Sequence, residues 1–264
     1  MLRVSPRATS RSTPRNMLTR PPPPTKLNCR SFNSTMDCDM MTFLFRFLLL
    51  LSLVAHSPTI SHAASQDESS LHLLVLGDSL TAGYGLASQQ AFPARLEQAL
   101  QKRGWPVRVT NAGVSGSTTS GGLARLEWNL ADKPDLVLVE LGANDALRGL
   151  DPDRTEANLD AILTLVKDRG AYPILAGMKA PRNLGRNYTE SFDRIYPRLA
   201  EKHAAPLYPF FLEGVAGKAE LNLADGIHPN ECGVDVIVAG ITSVVERALA
   251  EVCRAQNRDD CRKD

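Results

Sequence analysis

From Leu71 to Leu76 the chain is almost wholly apolar, and it stops abruptly at Gly77 and Asp78. A run this short and this apolar, closed by turn residues, reads as a strand buried on both faces, the kind found inside parallel sheets. Apolar positions then recur at helical spacing through Phe92, Leu96 and Leu100 and end at Gly104. The alternation continues with a short strand at Val107 to Thr110, a helix at Thr119 to Leu130 and an apolar strand at Asp135 to Leu141. Next come a helix from about Arg154 to Arg169, a strand at Tyr172 to Ala176 and a helix from about Glu190 to His203. The last element, Pro229 to Cys253, carries Val234, Ile237, Val238, Ile241 and Val245 on one face, with the proline expected in its first turn. Strands and helices in this order predict βαβ units, and hence an α/β fold: a three-layer α/β/α sandwich with a central parallel sheet.

The first part of the chain has a different character. Met1 to Thr42 holds four consecutive prolines, Pro21 to Pro24, with scattered arginine and serine and no amphipathic period. Phe43 to Ala55 is apolar except for Arg46 and Ser52, and Ser61, His62 and Ala63 follow in a small-x-small pattern. An apolar run of this length falls short of the ~20 residues a spanning helix needs. It matches a secretory signal peptide cleaved after Ala63, with Met40 or Met41 as its natural start. The chain therefore divides into an extension at 1–39, unfolded or not made, a signal peptide at 40–63 and one catalytic domain at 64–264. Periplasmic export is expected, with secretion as the alternative and no stable membrane insertion after cleavage.

Basic residues concentrate in the leader and leave the rest acidic on balance, with no Lys/Arg cluster on a recognisable helix. That excludes an electrostatic footprint for nucleic acid. Cys232, Cys253 and Cys261 remain in the mature part. In an oxidising compartment Cys253 and Cys261 can close a short loop, which leaves Cys232 as a buried thiol in a helix; three thiols is the equal alternative. None has the spacing of a zinc site.

Ligands of an open parallel sheet gather beyond the carboxyl ends of its strands, so the loops there carry the chemistry. Gly77-Asp78-Ser79-Leu80 places a serine directly after the first strand. A lone serine there is ordinarily a helix cap, and it becomes a nucleophile only beside a base, for which histidine is suited. His72 starts a strand at the wrong end of the sheet, and His203 ends a helix, an ordinary surface position for an imidazole. His228 sits in Asp225-Gly226-Ile227-His228-Pro229, where the carboxylate can turn back onto its Nδ1 and leave Nε2 for the serine. An Asp/His cap before the proline is the plainer reading of the same residues. Acyl transfer also needs oxyanion donors. Gly116, in Asn111-Ala112-Gly113-Val114-Ser115-Gly116, and Asn144, in Gly142-Ala143-Asn144-Asp145, occupy the next two strand ends, and the Ser79 amide would be the third donor.

Together these loops resemble the SGNH hydrolases, the GDSL family, whose four blocks carry Ser, Gly, Asn and His; here those are Ser79, Gly116, Asn144 and His228. The likeness extends to LGDSLTAG from Leu76, NAGVSG from Asn111, GGLARL from Gly121, VELGAND from Val139 and DGIHPN from Asp225, all in family order. Ala146 to Leu150 and Tyr196 to Ala200 are similar to the branch of periplasmic multifunctional acyl-CoA thioesterase I, lysophospholipase and arylesterase. The resemblance implies a flavodoxin-like SGNH fold, no metal and no cofactor; the chain is expected to be a monomer. It implies ester or thioester hydrolysis through an acyl-enzyme on Ser79, in a shallow groove of broad specificity. The small-molecule substrates would be aliphatic and aryl esters, acyl thioesters and lysophospholipids. The loop from Lys179 to Tyr188 departs from the branch where it would touch the acyl chain. Two other readings stand beside this one: a polysaccharide O-acetyl esterase, and an envelope binding protein without catalysis. Gly77-Asp78-Ser79-Leu80-Thr81 lacks the second glycine of GxSxG, so this is not an α/β-hydrolase nucleophile elbow.

Overall fold

The computed structural model of the protein describes residues 70–258 and Cys261. The expected extension, the signal peptide and its cleavage point lie outside the described residues. Five strands, β1 (Leu71–Gly77), β2 (Val107–Gly113), β3 (Leu136–Glu140), β4 (Tyr172–Ala176) and β5 (Leu207–Tyr208), form one sheet in the order β2-β1-β3-β4-β5, with every pairing parallel. This is the flavodoxin-like order, whose direction reverses between β1 and β3 and opens a crevice there. All seven residues of β1 and all five of β3 are buried, as strands covered on both faces require.

The helices are α1 (Ser79–Ala82), α2 (Phe92–Gln101), α3 (Thr119–Asn129), α4 (Ala143–Leu147), α5 (Pro152–Asp168), α6 (Arg186–Asp193), α7 (Ile195–His203) and α8 (Glu231–Ala255). α2 packs on α8 in one layer, and α3, α5 and α7 pack side by side in the other. The apolar stripe of α8 is buried at Val234, Ile237, Val238, Ile241 and Val245. No helix among the described residues is long and apolar enough to cross a membrane.

Four expectations need correction. The helix predicted from Glu190 to His203 is two helices broken at Arg194, because Pro197 donates no hydrogen bond and its ring would crowd the carbonyl of Asp193 in a continuous helix. Pro229 precedes α8 instead of opening its first turn; the cap is Asn230, whose side chain accepts from Gly233 N at 3.0 Å. His203 is not a surface residue: it is 7% exposed, and its Nε2 lies 2.7 Å from Asp160 Oδ1. Cys232, expected as a buried thiol, is half-buried in the first turn of α8 and is disulfide-bonded. Cys253 and Cys261 are joined as a disulfide.

Candidate active site

Three strand ends and one loop converge on the crevice. β1 ends at Gly77, and Asp78 then caps α1, its Oδ1 accepting from Leu80 N at 3.0 Å. Ser79 is the first residue of that short helix, so its own N–H has no acceptor inside the helix. The Ser79 hydroxyl lies 2.9 Å from His228 Nε2, across 149 residues of sequence.

His228 is held from the other side. Its Nδ1 lies 2.8 Å from Asp225 Oδ2, while Asp225 Oδ1 accepts from the amides of Ile227 at 2.9 Å and His228 at 3.0 Å. Gly226 makes this turn-back possible with φ of 71°, a conformation open to glycine at little cost. The loop is closed at its base by Leu223 N donating to His228 O at 2.7 Å and by the Asn222–Pro229 bridge. The amide of His228, then that of Ile227, then the imidazole itself stabilise the Asp225 carboxylate and bring its pKa down to about 2. The exposed Tyr84 ring lies against the imidazole, tilted by 32°, at 4.3 Å between centroids.

Asn144 stands in α4, just past β3, and its Nδ2 donates one hydrogen to Asp78 Oδ2 at 3.0 Å. The second amide hydrogen has no acceptor among the described residues. Gly116 lies in the four-residue turn Val114–Ser117, closed by Ser117 N donating to Val114 O at 3.0 Å, with φ of 78°. Such a φ at the third position is what a type II turn demands, and it favours glycine. Its carbonyl accepts from Arg148 Nη2 at 2.9 Å, and its N–H makes no hydrogen bond among the described residues.

A groove of about 450 Å³ opens beside Ser79, Asn144 and His228; Gly116 and Asp225 are not among its lining residues. Its walls are mostly apolar: Leu147, Met178, Ala180, Phe210, Leu212, Ala216 and Ile227, with Lys179, Pro181 and Arg182 at one side. The loop that departs from the family pattern, Lys179 to Tyr188, thus supplies part of that wall. Among the described residues no group of three or more His, Cys, Asp and Glu could hold a metal ion.

Two acids beneath the site were not anticipated from the sequence. Asp78 is fully buried, and burial, the largest influence, raises its pKa to about 6. Glu140, the last residue of β3, is also fully buried; its Oε2 accepts from Asp78 N at 3.3 Å, and its Oε1 has no partner among the described residues. Burial first, then the neighbouring Asp78 charge, push the Glu140 pKa well above its ordinary 4.5. The native state therefore keeps a proton that the unfolded chain releases above that value. Stability falls as pH rises, by at most about 1.4 kcal/mol per pH unit for one such proton. Asp78 acts in the same sense up to its own pKa. Glu140→Gln is expected to flatten the decline between roughly pH 5 and 8 in urea unfolding, and an unchanged slope would contradict an un-ionised Glu140.

Residues 75–236 match the GDSL-like Lipase/Acylhydrolase family. The chain is 48% identical to an arylesterase of Vibrio mimicus over 168 residues, covering 63% of this chain and 83% of that protein. It is 45% identical to thioesterase 1/protease 1/lysophospholipase L1 of Escherichia coli (strain K12) over 187 residues, 70% of this chain and 83% of that one. A crystal structure of TesA superposes with a TM-score of 0.65 at 40% identity, covering 67% of this chain and 99% of the other. The matched span runs from the end of β1 into α8 and takes in β2 to β5 and all of the converging loops, so the chain belongs to the GDSL-like lipase/acylhydrolase family, the SGNH hydrolases.

Proposed function

We propose that the protein is an exported, periplasmic serine esterase in which Ser79 is the nucleophile, His228 the general base and Asp225 the residue that orients it. The observation that carries this reading is the unbroken chain from Ser79 Oγ to His228 Nε2 at 2.9 Å and from His228 Nδ1 to Asp225 at 2.8 Å. Ser79 Oγ attacks the acyl carbonyl while its proton passes to Nε2. The carbonyl oxygen becomes an oxyanion held by the Ser79 and Gly116 amides and by the second hydrogen of Asn144 Nδ2. The leaving alcohol or thiol takes the proton from Nε2, which leaves an ester on Ser79. Water then loses a proton to Nε2 as it attacks, and the acid departs with Ser79 restored.

The substrates are acyl esters with an apolar chain, extending to aryl esters, thioesters and lysophospholipids. The apolar walls favour this class over acetyl groups on polysaccharide, since burying each methylene of a chain is worth about 0.8 kcal/mol. The test is a series of p-nitrophenyl esters: acetyl, butyryl, octanoyl and palmitoyl. Two added methylenes from acetyl to butyryl should raise kcat/KM by about tenfold. Turnover confined to acetyl would replace this reading with the deacetylase, and no turnover of any ester with a binding protein.

A further inference from the structure

Arg125 lies on α3, outside the groove, and the mechanism above gives it no part. Its guanidinium is nonetheless aimed at the backbone that frames the site. Nη1 donates to Ser117 Oγ at 2.6 Å, and Nη2 donates to Gly77 O at 2.7 Å and to Ala112 O at 3.4 Å. The side chain is partly buried, and among the described residues it makes no ion pair and its buried Nε has no hydrogen-bond partner. A cation so placed is costly, and hydrophobic packing alone would be served better by leucine.

The contacts form a closed ring. Gly77 O, two residues before Ser79, accepts both from Arg125 Nη2 and from Val114 N at 3.1 Å. Val114 opens the turn that carries Gly116, Ser117 closes it, and the Ser117 hydroxyl returns to Arg125. Parallel pairing already sets Gly77 beside Gly113. Beyond that pair the ladder ends, and Arg125 is the side chain that bridges strand end and turn.

Gly121, in the first turn of α3, leaves room for the Ser117 hydroxyl that Arg125 engages, and Gly122 leaves room for Leu141. A Cβ on Gly121 would sit 3.0 Å from Ser117 Oγ, and one on Gly122 would strike Leu141.

We propose that Arg125 is a positioning residue that fixes the Gly116 turn against the Ser79 strand end, and so sets the distance between the two backbone donors of the oxyanion hole. This rests on the esterase reading of Ser79 and Gly116. The interaction it governs exists only when negative charge develops on the substrate oxygen, so its loss falls on kcat and spares KM.

The experiment is steady-state hydrolysis of p-nitrophenyl butyrate by the full chain and by Arg125→Ala, Arg125→Lys and Ser117→Ala, with thermal unfolding to report the folded fraction. A donor displaced by about 1 Å lowers kcat roughly 10- to 100-fold in Arg125→Ala, with KM within about twofold. Millimolar guanidinium should restore much of the lost kcat in that variant and do nothing for the parent, while the lysine and Ser117→Ala variants fall between the two. Unchanged kcat in folded Arg125→Ala, or a loss shared by KM and unrescued by guanidinium, overturns the proposal while an active parent leaves the esterase reading intact. A parent without turnover overturns both. Should Arg125→Ala fail to fold, the same split and ordering in Arg125→Lys and Ser117→Ala decide the matter.

Discussion

Replacing Ser79 by alanine is expected to lower kcat by on the order of 10⁴- to 10⁶-fold with little change in fold or in substrate affinity. The side chain removed is one hydroxyl at a half-buried position, and its single hydrogen bond among the described residues runs to His228. The Asp78 carboxylate keeps its bonds to Leu80 N and Asn144, and α1 keeps its cap, so stability should move by less than about 1 kcal/mol. What disappears is the atom proposed to form the acyl-enzyme. The proposed oxyanion donors and the groove remain, and they would account for any residual rate.

The second large effect is Asp225→Asn, expected to reduce kcat on the order of 10³- to 10⁴-fold. The loop geometry dictates the reason. One oxygen of Asp225 accepts from two backbone amides, at 2.9 Å and 3.0 Å, so the asparagine carbonyl must take that place and its NH₂ must face His228 Nδ1. Nδ1 then becomes an acceptor, the ring proton moves to Nε2, and the nitrogen facing Ser79 can no longer take a proton. In the parent protein the same amides hold the Asp225 pKa at about 2, below its ordinary 3.8. Asp225 therefore stays ionised across the working range and is lost only as pH falls toward that value. Any loss of activity at a pH well above that value therefore arises from a group other than Asp225. Hydrolysis rates from roughly pH 4 to 9 for parent and variant check both points; a variant within tenfold of the parent would remove Asp225 from the orienting role.

The fold was legible where burial writes itself into sequence. β1 and β3 are buried on both faces and announce themselves as unbroken apolar runs. The helical spacing of Phe92, Leu96 and Leu100 gave α2 directly. β5 was not legible, because two residues at a sheet edge carry no period. The break between α6 and α7 was masked by apolar spacing that continues through Ile195 and Leu199, although Pro197 was a usable signal for it. At the site, Ser79, Asp225 and His228 could be found because their chemistry needs rare residue types at the right strand ends. Asp78, Glu140 and Arg125 could not. A carboxylate before a serine reads as a cap, which Asp78 also is; an acid ending an apolar strand reads as the strand's exit into solvent; and an arginine on a helix reads as surface. Their roles depend on side-chain directions that only the packed structure fixes.

The central claim is that Ser79 becomes covalently acylated, and reaction with a fluorophosphonate followed by intact-protein and peptide mass measurement tests it most directly. The account predicts one adduct per chain, located on Ser79, and none on Ser79→Ala. Equal labelling of the two proteins, or an adduct on another residue, would contradict it.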